Sequence, residues 1–370
     1  MSREEGEMSS SLLRSHPRAP LEVDDLLSEI LLRLPPHPSS LPRASAVCRH
    51  WRLLVSDPGF SRRFRLHHHR NPPIIGFYDS NLRDLSFVPT LKAPNRVSPG
   101  RLSLRRHLDD QYFTPLGCRH GLVLIRIGNS EPLKRHVLVW NPVTGEQHRQ
   151  GTPPGFDTGK PFNGAVLRAT ADVDHFQVAL VGNGDQKRAV ASVYSSDTGL
   201  LLMSSTDPLP DWCFNGLSFD PAVLVRNSLY WLLGAASVGI LEYDLERRSL
   251  DVIGLPVRMP TGCAIGSNNR FSVVQAEDGG LGFLSLSGFS AHLWQRKTEY
   301  NGGASWKEGP DILVIGFAED NNLVFLGTII GIVMLHLESL QFEKLPGSRS
   351  ASYYYPFESV YDACNNTTLQ

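Results

Sequence analysis

The feature that most constrains this chain is a repeat. Five times after residue 120 a small or polar residue is followed by an apolar one that opens a short apolar run. The instances are Gly121-Leu122, His175-Phe176, Ser228-Leu229, Gly280-Leu281 and Asn322-Leu323, at spacings of 54, 53, 52 and 42 residues. Each is followed 12 to 18 residues later by a second run, through Trp140, Tyr194, Tyr243, Leu293 and Leu335. Several of these second runs enter matching turns. Trp140-Asn141-Pro142-Val143-Thr144-Gly145 has the layout of Tyr194-Ser195-Ser196-Asp197-Thr198-Gly199, and Tyr243-Asp244-Leu245-Glu246-Arg247-Arg248 is a looser copy. A repeat of roughly 40–55 residues that supplies several short strands is the mark of a β-propeller, whose blades must pack in a ring because one blade cannot bury both its faces. Residues 72–370, divided at about 50 per blade, give about six blades. The first is expected to be closed by a C-terminal strand near Ser352-Tyr353-Tyr354-Tyr355. The Gly and Pro totals, 32 and 26, agree with a turn-rich chain.

Residues 24–66 have a different period. Leu26, Leu27, Ile30, Leu31 and Leu34 recur at helical spacing behind Asp24 and Asp25, which suit a helix N-terminus, and Pro35-Pro36 stops the run. Ser39 or Ser40 opens a second helix striped by Leu41, Ala44, Cys48, Trp51 and Val55, flanked by Val47 and Leu54. Asp57-Pro58 opens a third that holds Phe60 and Phe64. A helical segment this small with so much apolar surface either packs on the rest of the chain or presents a docking face to a partner.

The residues from Asp24 to Pro35, then Val47-Cys48-Arg49-His50-Trp51-Arg52 and Asp57-Pro58-Gly59-Phe60, resemble an F-box. Glu22-Val23 stand where that family usually has Leu-Pro. The strand Cys118-Arg119-His120-Gly121-Leu122 and the run Val137 to Gly145 resemble the kelch-like, F-box-associated region of plant F-box proteins. The expected fold class is therefore mainly β: a three-helix F-box followed by a propeller. The expected division is a disordered arm at 1–20, the F-box at 21–66, a linker at 67–73 and the propeller at 74–370. The resemblance implies a non-catalytic substrate receptor of a Skp–cullin–F-box ubiquitin ligase. It would bind a Skp-family adaptor, and through it a cullin, by Leu26, Ile30, Leu31, Leu34, Pro35, Leu41, Val47, Cys48, Trp51 and Leu54. Propeller loops would hold an unidentified target protein, with the apolar turn at Ile329 and Ile330 as a candidate contact.

Catalytic chemistry finds little support. Thr158-Gly159-Lys160 lacks the first glycine of a phosphate loop, there is no His-Glu-x-x-His or Gly-x-Ser-x-Gly string, and Asp172 and Asp174 lack the rest of a calcium loop. His67-His68-His69 reads as linker, and the two Cys-Arg-His strings at 48–50 and 118–120 fall on unlike elements. Trp140, Tyr194, Trp231 and Tyr243 read as packing aromatics. No cofactor or metal is called for. The alternatives are a propeller enzyme or small-molecule sensor, and an F-box scaffold acting outside a ligase. Five scattered cysteines with no Cys-x-x-Cys pair suit a reducing compartment, the cytoplasm or nucleus. Residues 1–20 lack the apolar stretch of a signal peptide, and the apolar stretch at 323–335 is too short to span a bilayer, so no membrane is expected; Asn365-Asn366-Thr367 is read as a chance glycosylation match.

The net charge of −1 argues against a nucleic-acid partner. It conceals a basic stretch, since residues 41–70 hold Arg43, Arg49, Arg52, Arg62, Arg63, Arg65 and Arg70 against Asp57. The reading is electrostatic steering toward an acidic partner.

Overall fold

The computed structural model describes residues 24–68, 72–80, 84–104, 112–128, 136–156, 160, 162–168, 175–185, 188–206, 220–233, 239–255, 269–275, 280–287, 290–296, 303–305, 313–328, 331–336, 341–345 and 354–359. The arm at 1–20, Glu22-Val23, His69, Arg70, Thr158-Gly159, Asp172, Asp174, Ile329, Ile330 and the 365–368 stretch lie outside the described residues.

The N-terminal part is helical: α1 (Asp24–Leu32), α2 (Ser40–Ser45), α3 (Arg49–Val55) and α4 (Pro58–His68). The expected three helices are thus corrected to four. The stripe from Leu41 to Val55, read as one helix, is split at Cys48. Its backbone is extended (φ −158°, ψ 172°), and its Sγ accepts the Trp51 N–H as an N-cap. The break turns Val47 outward, to 62% exposure. Asp57 caps α4 as its sequence suggests, with Oδ2 accepting the Phe60 N–H at 2.8 Å. Leu27, Leu31, Leu32, Leu41, Ala44, Val55, Phe60 and Phe64 form the core of this module. Each large side chain buried there stabilises by about 1.5–3 kcal/mol relative to exposure.

The remainder is β. Strands β1 (Ile74–Ser80) and β2 (Leu85–Pro89) precede five four-stranded antiparallel sheets. These are β3–β6 (Tyr112–Arg119, Leu122–Gly128, His136–Trp140, Gln147–Gly151) and β7–β10 (Asn163–Leu167, Gln177–Asn183, Ala189–Ser195, Leu201–Ser205). Next come β11–β14 (Val223–Val225, Ser228–Leu232, Gly239–Asp244, Ser249–Gly254) and β15–β18 (Asn269–Gln275, Leu281–Ser287, Ser290–Gln295, Gly303–Ser305). The fifth is β19–β22 (Leu313–Ala318, Leu323–Thr328, Gly331–His336, Phe342–Lys344). The last described strand, β23 (Tyr354–Glu358), returns to pair with β1 in a three-stranded sheet ordered β2-β1-β23. This is a β-propeller with five four-stranded blades and an end-to-start strand pairing. The expected return of the C-terminal chain is seen at Tyr354–Glu358.

Each repeat instance falls at the start of the second strand of a four-stranded sheet, at β4, β8, β12, β16 and β20. Trp140, Tyr194, Tyr243, Leu293 and Leu335 fall on the third strands. The matching turns close the same way. Asn141 Oδ1 accepts from the Val143 and Thr144 N–H groups, Asp244 Oδ1 from Glu246 and Arg247, and Gly145 and Gly199 take left-handed φ of 78° and 66°. The buried clusters lie between sheets. Tyr78, Phe87 and Phe357 pack against Trp140, and Ala179 and Val181 pack with Trp231 and Tyr243. These aromatics are core, as read, while Tyr194 stacks on His148 at 5.4 Å.

Candidate functional site

Two places bring functional groups together: one face of the helical module, and the mouth of the propeller axis.

On the helical module, an apolar helix face survives the folding of the core. Leu26 and Ile30, one turn apart on α1, are 50% and 43% exposed, and Leu53 on α3 is 64% exposed. Val47 and Cys48, at the α2–α3 bend, are exposed as well. Asp24 Oδ1 lies 3.1 Å from His50 Nε2, which ties the start of α3 to the start of α1. Pro35 is exposed, and Leu34, Trp51 and Leu54 are half-buried against the core. Leu31 and Leu41, each 1% exposed, are inside it. Of the ten residues expected to meet an adaptor, eight thus reach the surface and two hold the module together. Leu53 was missed because an unbroken helix over 40–55 places it off the apolar stripe; the Cys48 cap changes its phase. The basic residues are spread over α2, α3 and α4, where Arg43, Arg49, Arg52, Arg62 and Arg63 are exposed, and the Arg63 guanidinium donates to Ser28 Oγ at 2.9 Å.

The second place is a small cavity of about 40 Å³, partly open to solvent, lined from strands β3, β7, β11, β19 and β23. Arg119 grips Glu319 with two hydrogen bonds, 2.7 Å from Nε and 2.6 Å from Nη2, and also donates to the Ala222 carbonyl at 3.1 Å. Glu319 accepts the Leu224 N–H as well. One guanidinium thus joins three sheets. Burial alone would lower the Arg119 pKa, but Glu319 overrides it and holds the group above its ordinary value. Beside it, Glu358 accepts from Asn321 N–H (3.0 Å), Asn321 Nδ2 (2.7 Å) and Asp320 N–H (3.3 Å). Asn321 Nδ2 also donates to the Pro72 carbonyl at 2.7 Å, so the chain leaving the helical module is tied to the returning strand β23. Burial, then the Asp320 charge, push the Glu358 carboxyl up to about 8. Burial likewise raises the Cys118 thiol well above its ordinary value, which keeps it protonated and weakly nucleophilic. The charged groups of this cavity are spent on joining strands. Cys118 and Arg119 stand on β3 and Cys48 caps α3, so the two Cys-Arg-His strings are far apart in role as well as in sequence. Among the described residues, no group of three metal-ligating side chains occurs.

Comparison with known proteins bears on the helical module. Residues 24–67 match the F-box-like family. Three F-box proteins of Arabidopsis thaliana are similar. One is 27% identical over 240 residues, covering 63% of this chain and 60% of its own length. A second is 24% identical over 73% of this chain and 72% of its own, and a third is 31% identical over 34% of this chain and 36% of its own. The match thus spans only three fifths of the first relative. Among solved structures, the WD40 domain of SCAP from fission yeast aligns over 74% of this chain and 60% of its own, at 10% identity and a TM-score of 0.33. A puromycin-hydrolyzing peptidase of Mycobacterium tuberculosis aligns over 64% of this chain and 38% of its own, at 10% identity and a TM-score of 0.41. Neither likeness is close enough to bear on function. Residues 24–67 match the F-box-like family and precede a β-propeller, in a chain similar to F-box proteins of Arabidopsis.

Proposed function

We propose that the chain is the substrate-recognition subunit of a Skp–cullin–F-box ubiquitin ligase. The observation that carries this is the exposure of Leu26, Ile30, Val47 and Leu53 on helices that match the F-box-like family. An adaptor of the Skp family would cover these residues together with Leu34, Pro35, Cys48, Trp51 and Leu54, and would bring a cullin with it. Leu31 and Leu41 act indirectly, by fixing α1 and α2. The Trp51 ring beside aliphatic anchors has the composition of a binding hot spot. The division is read as F-box 21–66, linker 67–73 and propeller 74–370. The β2-β1-β23 sheet is read as a sixth, ring-closing blade of a kelch-like propeller.

In this role the chain performs no bond chemistry. The propeller holds a target protein through its loops and raises its effective concentration near the ubiquitin-loaded enzyme, in the cytoplasm or nucleus. Ile329 and Ile330 are kept as candidate target contacts. The test is reconstitution: the purified chain with adaptor, cullin and RING subunits, and a partner captured by proximity labelling. Adaptor-dependent ubiquitin transfer to that partner supports the proposal. Adaptor binding without transfer supports a scaffold outside a ligase, and failure to bind any Skp-family adaptor refutes the proposal.

A further inference from the structure

Ser39 stands at the N-cap of α2, where a serine hydroxyl ordinarily accepts a backbone N–H of its own helix. Here the side chain makes no such bond. Its Oγ instead donates to Asn95 Oδ1 at 2.6 Å, and its N–H approaches the same oxygen at 3.4 Å. Asn95 belongs to the propeller, 56 positions further on. Both residues are half-buried, and Pro38, next to Ser39 in the chain, is buried. A residue that gives up its local capping role for a distant contact marks a place where the fold asks for something besides helix stability.

The loop that carries Asn95 is built to hold it still. Among the described residues, the β2-β1-β23 sheet has three strands where the other sheets have four. In place of a fourth strand, Leu104 alone pairs with Leu85, through bonds of 2.9 and 3.0 Å. Between β2 and Leu104 the chain makes a pinned loop. Thr90 Oγ1 donates to the Ile74 carbonyl at 2.9 Å, and Ser103 Oγ donates to the Pro99 carbonyl at 2.7 Å and accepts the Phe87 N–H at 3.0 Å. Val97 and Leu102 are buried in the same cluster as Tyr78 and Phe357. The Asn95 N–H closes a turn on the Lys92 carbonyl at 2.9 Å.

The helical module meets this loop without sharing a core with it. Its buried cluster, among the described residues, is drawn from residues 27–64 alone. Its placement on the propeller therefore depends on polar ties. One is Ser39 to Asn95, and another is the bond from Asn321 Nδ2 to the Pro72 carbonyl just beyond α4.

We propose that Asn95 is a positioning residue: the loop after β2 is a bracket that takes Ser39 and holds the helical module in one orientation on the propeller. A partly buried neutral hydrogen bond shifts such an equilibrium about 2- to 12-fold, so losing it should raise other orientations by that factor. The bracket stands apart from the proposed role of the chain. Its consequence for a ligase, a fixed direction from adaptor to target, rests on that reading.

The test is small-angle X-ray scattering of the full chain without partners. Asn95→Leu and Ser39→Ala should enlarge the radius of gyration and keep the wild-type melting temperature. Asn95→Asp retains the acceptor oxygen and should scatter as the wild type does. Ser39→Cys combined with Asn95→Cys should form a disulfide between positions 39 and 95 under oxidised glutathione, identified by peptide mapping, with the wild type treated alike as control. Oxidised, this variant should scatter as the wild type; reduced, as Asn95→Leu. Wild type and Asn95→Leu that scatter alike, no disulfide between those positions, or Asn95→Asp behaving as Asn95→Leu overturns the proposal. Titration with a Skp-family adaptor separates the two readings. Wild type and Asn95→Leu should bind it equally, and failure of both to bind refutes the ligase reading while the scattering still decides the bracket. Weaker adaptor binding by Asn95→Leu with unchanged scattering overturns the bracket, because Asn95 is then an adaptor contact.

Discussion

Removing the guanidinium that joins three sheets should be severe, and removing its partner as well should restore much of what is lost. In Arg119→Met, Glu319 loses two hydrogen bonds of 2.6–2.7 Å and keeps the Leu224 N–H, while the Ala222 carbonyl loses its donor. The side chains are 8% and 17% exposed, so water can do little to compensate. Breaking one side of a buried ion pair of this kind costs about 3–5 kcal/mol. At about 1.4 kcal/mol per factor of ten, the unfolded fraction rises by at least two orders of magnitude. In Arg119→Met with Glu319→Leu the buried charge is gone, and the chain should return to within about 1–2 kcal/mol of wild type. Arg119→Lys should fall between, because an ammonium cannot reproduce the two-pronged grip. Urea unfolding followed by the fluorescence of buried Trp140 and Trp231 measures these four proteins and Glu319→Leu alone. A single variant within about 1 kcal/mol of wild type, or a double variant that loses the sum of the single losses, would refute the reasoning.

Glu358 should make the propeller less stable as pH rises. Its folded pKa of about 8 is above the ordinary 4.5, so between these values the folded chain holds a proton that the unfolded chain has released. Stability therefore falls from about pH 5 to about pH 8 and levels off above, and Glu358→Gln should flatten that difference in urea midpoints measured across pH. Asp57→Ala removes the cap of α4 and should lower stability by about 1 kcal/mol, read from the urea midpoint. The basic stretch from Arg43 to Arg65 should make adaptor association slow markedly as salt rises from about 50 to about 500 mM; a flat on-rate by stopped flow would remove steering from the account.

How legible all this was varied with range along the chain. The second and third strands of each four-stranded sheet were readable because both are short, apolar and joined by turns with Asn, Asp, Thr and Gly at fixed offsets. The blade count was less so: the outer strands are short or polar, as in Gln147–Gly151 and Phe342–Lys344, and resemble loops in a sequence. The break at Cys48 was hidden because a sulfur cap leaves no Ser, Thr, Asp or Asn signal. Arg119 and Glu319 lie 200 residues apart, and nothing local to either announces the other. Burial divided the adaptor residues in a way periodicity could not: a helical stripe marks apolar faces, but not which of them the module keeps for its own core.

The central claim is that the exposed face of the helical module binds a Skp-family adaptor. Calorimetric titration of the purified chain with such an adaptor tests it most directly, comparing wild type with Leu26→Glu and Ile30→Glu together. Both positions are at least 43% exposed, so the variant should fold and melt as wild type does. Hot-spot residues are worth about 2 kcal/mol or more, so affinity should fall at least about 30-fold. Equal affinity for wild type and variant would contradict the account.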